Sequence, residues 1–259
     1  MVSRKQILFG INDADDKNFL SLMCDKADRA IASGRRIYSR FLSPREQFYV
    51  TERFSKDVEV IANGGYDGAE RRIVCFSPFD TYETEFDFQI VPLVIRTKNR
   101  AVLSHRDYLG SVLSLGIKRE LVGDIVICDD CAVVFCHSEI SDYIMFNLTR
   151  IANLTVTVDE TDASGLTLPE RRFEERSLTV SSMRLDCVLS AAANKSRTVS
   201  AELIERGMVC VNYDEVKNAS RTVMDGDVIS VRGIGKMVIR TDMSLTKKGK
   251  YHIEVSKYV

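Results

Sequence analysis

No apolar run in this chain approaches the roughly 18 residues that a membrane-spanning helix requires, and no internal repeat or low-complexity tract is visible in its 259 residues. The stretch from Met1 to Phe19 holds only Ile7-Leu8-Phe9-Gly10-Ile11 as an apolar segment, too short for the core of a secretory signal. Seven cysteines, an odd number without framework spacing, argue against a disulfide scaffold and suit free thiols in reducing surroundings. These absences lead us to expect a soluble, cytoplasmic protein with no membrane partner. Catalytic furniture is also sparse. The three histidines, His105, His137 and His252, are scattered, with no evident nucleophile pairing. Gly233-x-Gly235-Lys236 lacks the spacing of a phosphate loop.

One metal-like motif is present, Cys128-x-x-Cys131, with Cys136 and His137 behind it. A hairpin would set Cys128 opposite Cys131 and leave Cys136 about 16 Å up the strand, at roughly 3.3 Å per residue. Zinc ligands must converge within about 2.3 Å of the metal. No second CxxC completes the set. The expected metal and cofactor complement is therefore none, with the thiols buried in strands.

What is there is ordinary globular composition: 45% hydrophobic and 28% charged residues in 29.2 kDa, enough for two or three domains. Charge is balanced at −1 overall but unevenly placed. Residues 1–180 hold 23 basic and 28 acidic side chains, whereas the last 79 hold 13 basic and 9 acidic. A basic tail on an acidic body points to an anionic partner for the tail.

The patterning predicts an α+β chain. Phe19, Leu20, Met23, Ala27, Ala30 and Ile31 mark a helix over 15–33, stopped at Gly34. Ser43, Pro44 and Glu46 form a capping box for a second helix. Residues 58–62 read as a short strand before the Gly64-Gly65 turn. From 88 the order is strand (88–96), helix (105–117), hairpin (124–128 and 131–136), helix (138–150) and strand (154–158). That is the split βαβ arrangement of ferredoxin-like folds. The expected organisation is a helical N-terminal α+β region (1–80), an RRM-like, ferredoxin-like βαββαβ domain (81–160), a polar linker (161–180) with a pairing strand at its end, and a tail domain (181–259). In the tail, helices over 184–192 and 197–206, the second with Val199, Leu203 and Ile204 inward, precede strands at 208–212, 227–233, 236–242 and 250–258.

Residues 184–233 resemble the RNA-binding module named after ribosomal protein S-four. The anchors are Arg184-Leu185-Asp186, Ser196-Arg197, Leu203-Ile204, Gly207, Val209, Val211-Asn212, Gly226-Asp227 and Val231. Two positions depart from that pattern: Ser200 stands where a small apolar residue is usual, and Tyr213 where glycine is common. A wider resemblance runs through Phe41-Leu42-Ser43-Pro44-Arg45-Glu46-Gln47, Gly64-Gly65-Tyr66-x-Gly68-Ala69-Glu70-Arg71-Arg72, His105-Arg106-Asp107-Tyr108-Leu109-Gly110, Leu115-Gly116-Ile117 and Gly123-Asp124-Ile125. It ends with Gly233-Ile234-Gly235-Lys236 and Thr246-Lys247-Lys248-Gly249-Lys250. In this order the motifs are similar to the YlmH family of bacterial proteins. The resemblance implies binding of ribosomal RNA and tRNA on the large ribosomal subunit, in quality control or rescue of stalled subunits. It also implies a link, by gene neighbourhood, to cell division.

Phosphates are met by cations and by helix N-termini. The RNA-contact candidates are therefore Arg184, Lys195, Ser196, Arg197, Ser200, Lys217, Arg221 and Lys236, with Arg71, Arg72, Arg106 and Arg119 as secondary candidates. A solvated, capped helix start is the bland alternative for the first set. Arg71 and Arg72 could equally pair with Glu70 or Asp67. In the middle domain Phe135 is expected to pack rather than stack on a base. No catalytic residue is assigned. The expectation is a monomeric, non-enzymatic RNA-binding protein. The alternatives are an RNA-modifying enzyme of pseudouridine-synthase type and a cell-division adaptor. Against the enzyme, Arg184-Leu185-Asp186 is followed by Cys187-Val188-Leu189-Ser190 rather than by the catalytic loop such synthases need.

Overall fold

A single helical turn, α1 (Arg4–Ile7), precedes the longest helix, α2 (Ala14–Ser33), which Asp13 caps by accepting from the Asp16 N–H at 2.9 Å. Leu20, Met23, Cys24, Ala27 and Ala30 form its buried stripe, and Gly34, at φ +67°, ends it in the left-handed conformation. In this computed structural model the described residues are 1–83, 85–97, 103–162, 167–169, 173–246 and 249–258. They divide into two compact units, Met1–Pro169 and Glu170–Val259. Among them no helix is long and apolar enough to cross a membrane.

In the first unit, β1 (Ile37–Leu42) leads to α3 (Pro44–Phe54), whose Ser43–Glu46 capping box forms as the sequence predicts. The strands β2 (Glu59–Asn63) and β3 (Arg72–Ser77) complete an antiparallel sheet in the order β1-β3-β2. Of the three strands in this α+β region only β2 was legible in the sequence; β1 and β3 were not. The central strand, β3, is buried along almost its whole length and shows no alternation. The helices pack on Val74 and Phe76 of that strand.

Next come β4 (Ile90–Thr97), α4 (His105–Ser114), β5 (Val122–Ile127), β6 (Ala132–His137), α5 (Ser138–Asn147), β7 (Arg150–Ile151) and β8 (Leu154–Glu160). The sheet order is β5-β6-β4-β8-β7, with all pairs antiparallel. Placing the first strand between the third and fourth is the ferredoxin-like split βαβ topology. Pro92 sits inside β4, opposite Phe135. One face of the sheet buries Leu93, Ile95, Val134 and Cys136 under α4 and α5.

In the second unit, β9 (Phe173–Val180), α6 (Leu185–Ala192), α7 (Arg197–Glu205), β10 (Val209–Val211), β11 (Asp214–Glu215), β12 (Val228–Val231), β13 (Gly235–Arg240) and β14 (Tyr251–Tyr258) form two helices on one antiparallel sheet, ordered β11-β10-β12-β13-β14-β9. The end of the stretch read as linker is β9, which pairs with β14 from Phe173↔Tyr258 to Val180↔Tyr251. The rest of that stretch falls partly on residues 163–166 and 170–172, outside the described residues, as do Lys247 and Lys248.

Candidate nucleic-acid interface

The start of α7 is built by short-range chemistry. Ser196 Oγ accepts from the Val199 N–H at 3.2 Å, and the Lys195 N–H donates to the Ser190 carbonyl while Ser190 Oγ donates back to the Lys195 carbonyl. Lys195, Ser196 and Arg197 are exposed at this terminus, where unpaired N–H groups and the helix dipole favour an anion. Arg197 Nη2 donates to Asp186 Oδ2 at 2.8 Å, and Arg184 donates to both oxygens of the same carboxylate, at 3.1 and 3.3 Å. Asp186 is itself buried in α6. Burial alone would push its carboxyl up, but the hydrogen bonds and charges of Arg184 and Arg197 outweigh that and hold it below the usual carboxylate range. Asp186 therefore fixes two guanidinium groups side by side, a role that sequence reasoning missed, although the motif contains it.

The other tail candidates divide. The Leu185 N–H donates to the Arg221 carbonyl and Asp186 N–H to that of Ala219, so Arg221 lies alongside the start of α6. Lys217 pairs with Glu215 at 3.2 Å on the surface. Lys236 Nζ sits 5.4 Å from the Tyr213 ring and 4.7 Å from that of Tyr258. Ser200 must be corrected: its side chain is fully buried, one turn from the equally buried Ile204, so its hydroxyl does not face the surface. Its Oγ finds no hydrogen-bond partner. Val199, expected inward, is 40% exposed instead.

The remaining anchors explain themselves as structure. Asn212 and Tyr213 take φ +50° and +70° in the two-residue turn between β10 and β11, which is why glycine suits position 213. Asn212 Nδ2 donates to Asp227 Oδ1 at 2.7 Å, and its Oδ1 accepts from the Val228 N–H. The Asn and Gly-Asp anchors therefore lock two strands together.

The secondary candidates lie in the first unit. Arg71 is half-buried, donating to the Val122 and Phe41 carbonyls, and burial pulls its pKa down. Arg119 donates to the Val122 and Gly123 carbonyls; burial, with the charge of Arg71 beside it, pushes its pKa to about 10. Arg72 Nε donates to the Ala69 carbonyl at 2.7 Å. Arg106 is exposed on the first turn of α4. The glycine-rich motif is a fastening: Tyr66 Oη and the N–H groups of Glu70 and Arg71 all donate to the Asp124 carboxylate, at 2.6–3.0 Å. The Tyr66 ring stacks on Phe135 at 4.7 Å, and Phe135 is fully buried. The face on which an RRM would stack bases is thus covered here by the chain's own tyrosine.

Family models match three successive segments: "YlmH, N-terminal" over residues 15–80, "Putative RNA-binding domain in YlmH" over 83–165, and "S4 domain" over 183–229. A protein of Bacillus subtilis (strain 168), named ribosome-associated protein quality control protein P2, is 34% identical over 216 residues, covering 82% of this chain and 84% of its own. The chain belongs to the YlmH family. A solved structure described as cell division protein ylmH from Streptococcus pneumoniae shares the fold. It matches 59% of this chain and 94% of its own with a TM-score of 0.51 at 20% identity.

Within this YlmH chain Cys24, Cys75, Cys136 and Cys187 are buried, whereas Cys128 and Cys131, expected to be buried in strands, are partly exposed in the loop between β5 and β6, because the strands end at Ile127 and resume at Ala132. Cys128 N–H donates to the Cys131 carbonyl at 2.8 Å, closing the hairpin. Burial, then the neighbouring Cys131, pushes the Cys128 thiol up, and burial raises Cys136 to about 12. Such thiols are protonated near neutral pH and are poor ligands and nucleophiles. Among the described residues no group of three or more His, Cys, Asp or Glu side chains is arranged to hold a metal ion.

Proposed function

We propose that this chain is a cytoplasmic, non-enzymatic RNA-binding factor that works on the large ribosomal subunit, touching ribosomal RNA and tRNA, in the quality control of stalled translation. The observation that carries this reading is the paired guanidinium site at the start of α7, where Asp186 presents Arg184 and Arg197 beside Lys195 and the Ser196 cap. Two oriented guanidinium groups, an ammonium and a helix N-terminus suit successive phosphates of folded RNA. The name of the Bacillus subtilis relative supports the ribosomal setting. The tail unit grips by charge and shape, and no bond is made or broken. Arg221 and Lys236 are placed in this reading as outer contacts, and Arg106 as an exposed contact on the first unit. Arg71, Arg72 and Arg119 serve the fold.

The test is co-sedimentation of the full chain from a cell lysate on a density gradient, comparing wild type with Lys195→Ala/Arg197→Ala. Wild type travelling with large subunits while the variant stays at the top supports the reading. Both proteins at the top would overturn it and turn attention to free RNA modification or a cell-division partner.

A further inference from the structure

The segment from Pro78 to Gln89, PFDTYETEFDFQ, carries Asp80, Glu83, Glu85 and Asp87 and not one Lys, Arg or His. Three of its four aromatic rings are exposed, Tyr82 at 98%, Phe79 at 66% and Phe86 at 42%, while Phe88 packs edge-on against Tyr38. Rings interleaved with carboxylates repel a polyanion and attract a cation. The chain already shows what the segment holds. Arg36 lays its guanidinium 3.8 Å over the Phe86 ring, Nη1 donates to the Glu85 carbonyl at 2.5 Å, and the Arg36 N–H donates to the Glu83 carboxylate at 2.9 Å.

Beside this internal arginine the surface opens into a cleft of about 880 Å³. Phe86 and Phe88 line one wall, stacked on each other at 5.9 Å, and the Tyr66–Gly68 turn lines another. The walls bring in two carboxylates, Asp87 and Asp67, against one cation, Arg72. Arg72 already donates to the Ala69 carbonyl, and Asp87 Oδ1 accepts from the Gln89 N–H. The cleft is acidic on balance, lined on one side by rings, and lies entirely within the first unit.

We propose that this cleft and the acidic-aromatic segment bind an arginine-rich peptide segment of a protein partner. One arginine enters between Phe86 and the Asp67 turn, where the Asp67 carboxylate accepts from its guanidinium. A second stacks on the exposed Tyr82 and Phe79 rings. The site is separate from the RNA-binding reading of the tail unit and of opposite charge preference, so the chain would hold an anionic partner with one unit and a cationic one with the other.

The experiment is fluorescence anisotropy of the full chain with a labelled peptide of alternating arginine and serine. The same peptide with glutamate for arginine is the control, and RNA affinity is measured in parallel. Wild type should bind the arginine peptide and ignore the glutamate one. The Tyr82→Ala/Asp67→Asn variant, which removes one contact to each arginine at an exposed ring and an exposed carboxylate, should bind it at least roughly tenfold more weakly, with RNA affinity unchanged. No binding by wild type, or equal binding by the variant, overturns the proposal. So does a variant that loses RNA affinity, which would make this cleft an RNA site. Loss of RNA binding in Lys195→Ala/Arg197→Ala leaves the peptide result untouched, so the two readings fail independently.

Discussion

Arg197 reaches across from the first turn of α7 to donate to Asp186, eleven residues earlier in α6, at 2.8 Å. This contact joins the two helices at the point where the anion site is proposed. Asp186→Asn keeps both guanidinium charges and removes the group that orders them. The variant should melt a few degrees lower and bind RNA several-fold more weakly, with an unchanged salt slope, because preorganisation is lost and charge is not. The folded pKa of Asp186 is depressed, so its ionised form contributes stability above the unfolded carboxylate value of about 3.9 and loses it as pH falls through the lower folded value. Melting curves should separate wild type from Asp186→Asn at neutral pH and draw together in acid, as pH falls through the depressed folded value.

Salt dependence isolates phosphate contacts from shape. Each cation that displaces a counterion contributes about 0.9 to the slope of log affinity against log salt on a duplex, and about 0.7 on a single strand. Arg197→Ala and Lys195→Ala should each lower the slope by about one unit or slightly less, and weaken binding uniformly across RNA sequences. Lys217→Ala, whose ammonium already faces Glu215 on the surface, should change it less. Filter binding over a salt series checks all three, and an unchanged slope for both Arg197→Ala and Lys195→Ala removes them from the contact set.

Ser200 offers the reverse test. A buried hydroxyl without a partner costs roughly 1–3 kcal/mol, and replacing it by a methyl group keeps the helix and nearly the volume. Ser200→Ala should stabilise the tail unit by about 1 kcal/mol and leave RNA affinity as it was. Chemical denaturation beside a binding isotherm decides it; a loss of affinity would return Ser200 to the contact surface.

Much of this was legible from neighbours in sequence. The box of Ser43 and Glu46, the stop at Gly34 and the cap at Ser196 involve partners three or four residues apart, and each forms as predicted. The ferredoxin-like order could be read because its strands and helices alternate cleanly. The strands β1 and β3 could not, because a centrally placed run such as Ile73-Val74-Cys75-Phe76 is buried throughout and carries no period. Ser200 was misread because a polar residue at a core phase of a helix looks like a surface one. The glycine-rich motif resisted assignment because its partner, Asp124, lies more than fifty residues away. Asp186 was visible as a motif letter, but its function depends on where Arg184 and Arg197 converge in space.

The glycine-rich motif yields the last prediction, because two of its glycines share a backbone conformation and differ in surroundings. Gly65 has φ +92° and Gly68 φ +80°, so alanine at either position meets left-handed strain of roughly 1–2 kcal/mol. A Cβ at Gly68 would meet nothing within 4 Å, whereas one at Gly65 would lie 2.6 Å from Phe135 Cδ1 and 2.9 Å from Ile90 Cγ2. Phe135 cannot retreat, since it is fully buried and Tyr66 stacks on its ring. Gly65→Ala should therefore add an overpacking cost of about 1–3 kcal/mol to the shared strain. Moving the turn away from Phe135 to relieve that clash would lift Tyr66 from the ring and lengthen its bond to Asp124. Thermal unfolding of the two variants measures the difference. Gly65→Ala should lower the transition of the first unit well beyond Gly68→Ala, while RNA affinity in the tail unit stays unchanged in both. Equal losses would mean that Tyr66 does not hold its place on Phe135 in solution, and the sheet face would then be open to a base after all.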